Sequence, residues 1–256
     1  MKDLASFFPI LGEINQKAGE IARRYFGTQI EVTRKSDESP VTRADREIEL
    51  SIREMLEKNF PDHSIIGEEF GETAKSSAYR WIIDPIDGTR SFLLNTPLFG
   101  TLIALERDGV PLLGSIYLPV QDQLMIGSRE TGTFLNGKRC FVSKTANLKD
   151  ATLIVTDPAQ VTEFAYRLML ERLYRAVGQV RGFGDCYGYF LVACGVAEIM
   201  IDPGGVKLHD IAPMLPIMQG AGGQFTSIEG RVGSSIDSGL ATNRLLHQHV
   251  LSVIKG

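Results

Sequence analysis

Cysteine, tryptophan and histidine are scarce in this 256-residue chain, which holds three cysteines, one tryptophan and four histidines. The cysteines (Cys140, Cys186 and Cys194) are odd in number and form no Cys-x-x-Cys pair. They offer neither a disulfide framework nor a zinc or dithiol motif, and they fit a reducing compartment. Basic clusters are missing too. No run of Lys or Arg exceeds two residues, and 27 Lys+Arg against 31 Asp+Glu leave a net charge of −4. That removes the electrostatic footprint that a nucleic-acid backbone requires. No stretch reaches the roughly 18 apolar residues of a bilayer span. Even residues 112–120 are broken by Gly114, Ser115, Tyr117 and Pro119. The start, Met1-Lys2-Asp3, runs into an amphipathic stretch without the form of a secretory signal. The expectation is a cytoplasmic protein with no nucleic-acid or membrane partner, acting on a small molecule.

What is present is ordinary for a globular chain: 43% hydrophobic and 23% charged residues. At this length roughly 70–75% of the unfolded surface is buried on folding, so no structural metal or disulfide is needed. Leu4, Phe7, Leu11, Ile14, Ala18, Ile21 and Tyr25 recur at steps of three and four, predicting a helix that Gly27 stops. Residues 28–41 read as a polar loop or loose hairpin. Thr42 and Asp45 have the spacing of a capping box, and Ile48, Ile52 and Met55/Leu56 continue a second helix to Phe60-Pro61. Strands are expected at 64–67, 79–83, 101–106, 112–118 and 123–127, with hairpin turns at Asp108-Gly109 and Asn136-Gly137. Helical spacing returns at 158–176, 186–196, 210–218 and 244–254, with strands at 151–156 and 199–202 between. Hairpins mixed with helices favour sheets layered with helices over a doubly wound parallel sheet. His63, His247 and His249 carry no ligand spacing, and His247 and His249 read as surface residues; Trp81 and the phenylalanines read as core.

The sharpest feature is Trp81-Ile82-Ile83-Asp84-Pro85-Ile86-Asp87-Gly88-Thr89. An apolar strand ends by placing two aspartates three residues apart around a proline, and Gly88 permits a tight turn that folds Asp87 back beside Asp84. Carboxylates, the Ile86 carbonyl and the Thr89 hydroxyl are oxygen donors, which suits Mg²⁺ better than zinc or copper. The other reading is an Asx-type turn with two solvated aspartates. Gly67-Glu68-Glu69-Phe70 sets two acids at the end of another short apolar run, sensible if a cation sits between one of them and Asp84. Asp210, inside Leu208-His209-Asp210-Ile211-Ala212, opens an apolar helix and is equally readable as a charge complementing the helix dipole. Asp45 is likewise readable as a capping residue alone.

Taken together, Asp84-Pro85-Ile86-Asp87-Gly88-Thr89, Gly67-Glu68-Glu69, Thr42-Arg43-Ala44-Asp45 and His209-Asp210-Ile211-Ala212 followed by Gly220-Ala221-Gly222-Gly223 resemble the inositol monophosphatase family. The order and spacing fit along nearly the whole chain. The resemblance implies an α+β fold, a layered α-β-α-β-α sandwich with mixed and antiparallel sheets, usually a homodimer. It also implies Mg²⁺-dependent hydrolysis of a phosphate monoester. One domain is expected over 1–256, with a metal-site half at roughly 1–145 and a specificity half at 146–256. Carried over residue by residue, Glu68, Asp84, the Ile86 carbonyl, Asp87 and Asp210 would hold two or three Mg²⁺ ions. Thr89 and Asp45 would orient and deprotonate the attacking water, with Glu69 behind them. The N–H groups of Gly88, Thr89, Arg90 and Ser91 would hold the phosphate. Lys35, in the polar loop, reads as a solvated lysine or as an aid in closing the metal site.

Arg181-Gly182-Phe183-Gly184-Asp185-Cys186-Tyr187-Gly188-Tyr189 and Arg90-Ser91-Phe92 are similar to the histidinol-phosphate phosphatase branch of that family. Arg90, Gly184, Asp185, Cys186 and Asp202 are then the expected substrate residues, the aspartates accepting from the amine and imidazole of L-histidinol phosphate. Inositol-1-phosphate, or a broad set of sugar and nucleotide phosphates, is the alternative. Asp185 is also readable as an N-cap, and Cys186 as a buried thiol rather than a nucleophile. His209 stands where the family has Trp or Tyr, so packing there is expected to differ. The stretch Asp202-Pro203-Gly204-Gly205 is about one residue longer than usual.

Overall fold

A computed structural model describes residues 4–34, 40–156 and 164–256. A short 3₁₀ turn at Leu4–Phe7 leads into α1 (Phe8–Tyr25), which buries Leu11, Ile14, Ala18 and Ile21, the stripe predicted from their spacing. The polar segment does form a hairpin, β1 (Val32–Arg34) antiparallel to β2 (Pro40–Thr42); Lys35 lies outside the described residues. Thr42 then caps α2 (Arg43–Asn59): its hydroxyl accepts from the Ala44 N–H at 3.1 Å while Asp45 Oδ2 accepts from the Thr42 N–H at 2.8 Å.

An eight-stranded sheet follows from β3 (Ser64–Gly67), β4 (Gly71–Thr73), β5 (Tyr79–Asp87), β6 (Gly100–Arg107), β7 (Val110–Leu118), β8 (Gln123–Ser128), β9 (Gly132–Leu135) and β10 (Lys138–Arg139), with α3 (Thr89–Leu93) between β5 and β6. Its order is β10-β9-β8-β7-β6-β5-β3-β4, antiparallel except for β3 beside β5. Asp108-Gly109 and Asn136-Gly137 join antiparallel neighbours with φ of 52° and 80° and of 48° and 76°, the doubly positive φ of a tight hairpin turn.

The second half supplies β11 (Thr152–Val155), α4 (Phe164–Ala176), β12 (Gln179–Arg181), α5 (Asp185–Ala193), β13 (Ile199–Asp202), α6 (Leu208–Ile211), α7 (Met214–Gly220), β14 (Gln224–Thr226), β15 (Gly239–Thr242) and α8 (His247–Lys255). Its sheet runs β12-β11-β13-β15-β14, parallel on the β12-β11-β13 side and antiparallel on the other. Among the described residues, alternate positions of the two sheets feed three large cores, with a small fourth cluster at Ile82, Ala104 and Ala212. Ile103 and Ile126 face α1 and α2; Leu102, Ile116 and Met200 meet α5 and α7 between the sheets; Ile199 and Ile201 face α4 and α8. Five layers result, α-β-α-β-α, as expected.

Several details depart from expectation. The single helix foreseen at 210–218 is two short ones, because Pro213, which has no N–H to donate, ends α6 and leads into α7. The last helix starts at His247 rather than at Arg244, whose φ is +63°. The part of the 158–176 helix before Phe164 lies outside the described residues. His247 is not a surface residue but fully buried: its ring bonds Thr226 Oγ1 at 3.2 Å and Thr242 Oγ1 at 2.9 Å, and burial lowers its pKa to about 4. Trp81 is core, whereas Phe70, Phe141 and Phe183 are exposed. Among the described residues no helix is long and apolar enough to cross a membrane.

Candidate active site

The two aspartates of the sharpest motif sit inside β5, and a bulge rather than a turn brings them together. Asp84 pairs with Leu102 and Asp87 with Gly100, so three steps on β5 oppose two on β6. Residues three apart on a regular strand point to opposite faces; one extra residue returns Asp87 to the face of Asp84. The Pro85 carbonyl, at the bulge, accepts from Thr101 Oγ1 at 2.9 Å. Gly88 serves α3 instead, as its N-cap with φ +85°. A Cβ there would lie 3.0 Å from the Leu98 carbonyl and 3.2 Å from Asp185 Oδ2, so only glycine fits without displacing its neighbours.

Asp84, Asp87 and Asp210 each bring one oxygen into a group whose members lie within 4.8 Å of one another. Glu68, Asp84 and His209 form a second group by the same measure. Asp84 belongs to both. It is 2% exposed, and its Oδ1 has no hydrogen-bond partner. Burial, then the charges of Glu68, Asp87, Asp210 and Asp45, hold its carboxyl well above the usual carboxylate range. Asp87 is pushed up by burial and by Asp185 and Asp210, against a hydrogen bond from Cys186. Asp210 is raised by burial while His209 works the other way, and its Oδ2 accepts from the Lys207 N–H at 2.7 Å. Like charges packed around an orphaned oxygen are what a divalent cation would relieve, and oxygen donors suit a hard one. The residues therefore fit a metal ion.

Neighbouring elements hold this cluster. Glu49, buried on α2 and ion-paired to Arg53 at 2.8 Å, accepts from the Glu69 N–H at 2.7 Å and the Phe70 N–H at 3.2 Å, fixing the turn that carries Glu68 and Glu69. A charged residue on the face that carries Ile48 and Ile52 was the available signal for it. Asp45 is raised to about 6 by burial, opposed by its bonds from Thr42 and aided by the charge of Glu69. Thr89 turns its hydroxyl to the Ile86 carbonyl at 3.0 Å, whereas Asp45 Oδ2 takes the hydroxyl of Thr42 at 2.6 Å.

From the other half, the Cys186 N–H at the start of α5 donates to Asp87 Oδ2, while its thiol is buried and pushed further toward protonation by burial and Asp87. Asp185 does not cap α5 with its side chain: the N-cap is Gly184, and Asp185 is the first helical residue, with φ +53°. Its carboxylate lies beside Gly88 instead. Gly184 packs on Thr156 so closely that a Cβ would collide with it. A cavity is lined by Asp87, Asp185, Cys186, Asp202, Gly204 and Asp210 together with Thr156 and Tyr189. Asp202 is engaged on both oxygens, by the Thr156 hydroxyl and by the Tyr189 hydroxyl at 2.6 Å. Burial raises its pKa to about 7 against those two bonds. Thr156 and Tyr189 went unread in the sequence, since hydroxyls that serve one distant carboxylate leave no spacing signal. Arg90 sits in the first turn of α3, exposed.

Comparison with known proteins fits this geometry. Residues 3–255 match the model described as the inositol monophosphatase family. A histidinol-phosphatase from Chlorobaculum parvum is 38% identical over 94% of this chain and 94% of its own. A histidinol-phosphatase from Mycobacterium tuberculosis is 35% identical over 92% of this chain and 93% of its own. Among solved structures, an inositol monophosphatase from Zymomonas mobilis superposes with a TM-score of 0.89 at 30% identity over the whole of both chains.

Proposed function

The chain belongs to the inositol monophosphatase family and is a phosphoric monoester hydrolase, and from that premise we propose that it is a Mg²⁺-dependent phosphatase that cleaves L-histidinol phosphate to L-histidinol and phosphate. The observation that carries the substrate is the Asp185 carboxylate beside Gly88, on a cavity wall shared with Asp87 and Asp210. A phosphate held near Gly88 puts the substrate's amine and imidazole within reach of that acceptor. The name shared by two relatives at 35–38% identity supports the same substrate.

Glu68, Asp84, the Ile86 carbonyl, Asp87 and Asp210 would hold two or three Mg²⁺ ions. When bound, such ions lower the pKa of a nearby water and neutralise charge on the phosphate and the leaving oxygen. The chain's own residues do the rest. Asp45, with its pKa near 6, is poised to take the proton of the attacking water, which Thr89 orients and Glu69 supports from behind. The N–H groups of Gly88 and Thr89, with Arg90 in the same turn, hold the phosphate, since α3 has no side-chain cap to consume them. The water oxygen bonds to phosphorus in line, the ester P–O bond breaks, and the departing alkoxide takes a proton from solvent water to leave as histidinol. Gly184 lets α5 approach Thr156, and Cys186 holds Asp87 through its N–H. Asp202 shapes the cavity and keeps Tyr189 in place. The chain works as one domain, its first half carrying the cations and its second the specificity, in a cytoplasmic homodimer.

A second reading rests on Asp202. With both its oxygens engaged, one acceptor fewer is left for a cationic substrate, and a neutral polyol phosphate such as inositol-1-phosphate fits such a cavity. Phosphate release with excess Mg²⁺ from histidinol phosphate, inositol-1-phosphate, fructose-1,6-bisphosphate and adenosine 3′,5′-bisphosphate separates the two. A kcat/KM preference of about a hundredfold or more for histidinol phosphate is expected; comparable rates on all four would contradict it.

A further inference from the structure

His209, its side chain 15% exposed, reaches the acidic cluster. Its Nε2 lies 3.7 Å from Glu68 Oε1 and 3.6 Å from Asp210 Oδ1, both too long for hydrogen bonds. One ring nitrogen of His209, one oxygen of Asp84 and one of Glu68 lie within 4.8 Å of one another. Cation–ligand bonds of about 2.1 Å set neighbouring ligand atoms about 3 Å apart and opposite ones about 4.2 Å apart. The 3.7 Å between His209 Nε2 and Glu68 Oε1 shortens by about 0.7 Å when the two become neighbouring ligands of one ion. Asp84, a member of this group, is buried and carries an oxygen, Oδ1, without a hydrogen-bond partner.

Resting on the reading that cations sit among these carboxylates, we propose that His209 Nε2 is a ligand, so that the chain carries two unlike cation positions sharing Asp84. The Asp84–Asp87–Asp210 position is all oxygen and suits Mg²⁺. The Glu68–Asp84–His209 position mixes nitrogen with oxygen, and imidazole favours later first-row dications over Mg²⁺. A fixed nitrogen donor thereby makes the site selective: it discriminates between ions that an all-carboxylate cluster ranks more evenly.

The test uses the full-length protein with metal ions alone. In Mn²⁺-loaded protein, pulsed electron paramagnetic resonance should detect coupling to a single directly bound nitrogen, and this needs no variant. In calorimetric titrations, His209→Phe should weaken Co²⁺ binding by tenfold or more while changing Mg²⁺ affinity less than threefold, with Asp84→Asn run alongside. Absence of the nitrogen coupling, or equal weakening of both ions by His209→Phe, would overturn the assignment of His209 while leaving the carboxylate cluster standing, provided that Asp84→Asn abolishes binding. If Asp84→Asn binds both ions like the parent, the cluster reading itself falls and this proposal with it.

Discussion

Asp84 and Asp202 are both buried strand aspartates, 2% and 8% exposed, yet the fold treats them in opposite ways. Asp202, at the end of β13, has a hydroxyl for each oxygen. Asp84, at the bulge of β5, has an oxygen with no partner and acidic neighbours at Glu68, Asp87 and Asp210. Both carboxyls are pushed up by burial, but the protein supplies donors to one and like charge to the other. A buried carboxylate met on both sides by neutral donors is a shaped wall. One that is left short of donors among its own kind is a place kept for something positive to arrive.

The largest expected effect comes from breaking the short side. Asp87→Asn removes a ligand charge without opening a cavity, so kcat should fall roughly 10³-fold while the circular dichroism melt stays close to that of the metal-free parent. Near-native kcat would refute the assignment of Asp87.

The next effect is one of pH, in metal-free protein followed by thermal melts. Asp45 and Asp202, raised to about 6 and about 7, bind protons in the fold that the unfolded chain, with carboxyls near 3.9, has already released. The stability they contribute is complete below about pH 4 and is lost as pH rises through 6 and 7. His247 runs the other way: the unfolded ring protonates below about 6.5, the buried one only near 4, so its contribution is lost as pH falls through that window. Replacing His247 by Gln should flatten the acid side of the curve and leave the neutral side unchanged.

A smaller effect sharpens the satisfied side. Asp185→Ala should lower kcat/KM for histidinol phosphate by about 10- to 100-fold, the worth of a charged hydrogen bond, with little change on p-nitrophenyl phosphate. Equal losses on both esters would reduce Asp185 to a structural residue.

Legibility in the sequence tracks how local each feature is. The α1 stripe, the Thr42–Asp45 box and the two doubly positive-φ turns depend on residues within four positions of one another, and they could be read directly. So could the pairing of Asp84 with Asp87, though its cause could not: a bulge exists only against Gly100 to Leu102 of the neighbouring strand. Glu49 beneath the Glu68-Glu69 turn, Tyr189 on Asp202 and His247 between Thr226 and Thr242 are contacts across 5 to 21 residues whose members carry no shared pattern. The break at Pro213 was visible as a proline, yet apolar periodicity on both sides of it concealed the end of α6.

Asp84, buried with an unpartnered oxygen among acidic neighbours, is held in an unfavourable state that a cation would relieve. Thermal melts of the parent and of Asp84→Asn, each with and without Mg²⁺, test it most directly. Parent protein should gain about 5–10 °C at a hundredfold excess of Mg²⁺ over its Kd. Asp84→Asn should melt above the metal-free parent, because an amide among carboxylates donates where a carboxylate repels, and should not respond to Mg²⁺. A variant that melts below the metal-free parent, or that gains as much from Mg²⁺ as the parent does, would contradict the account.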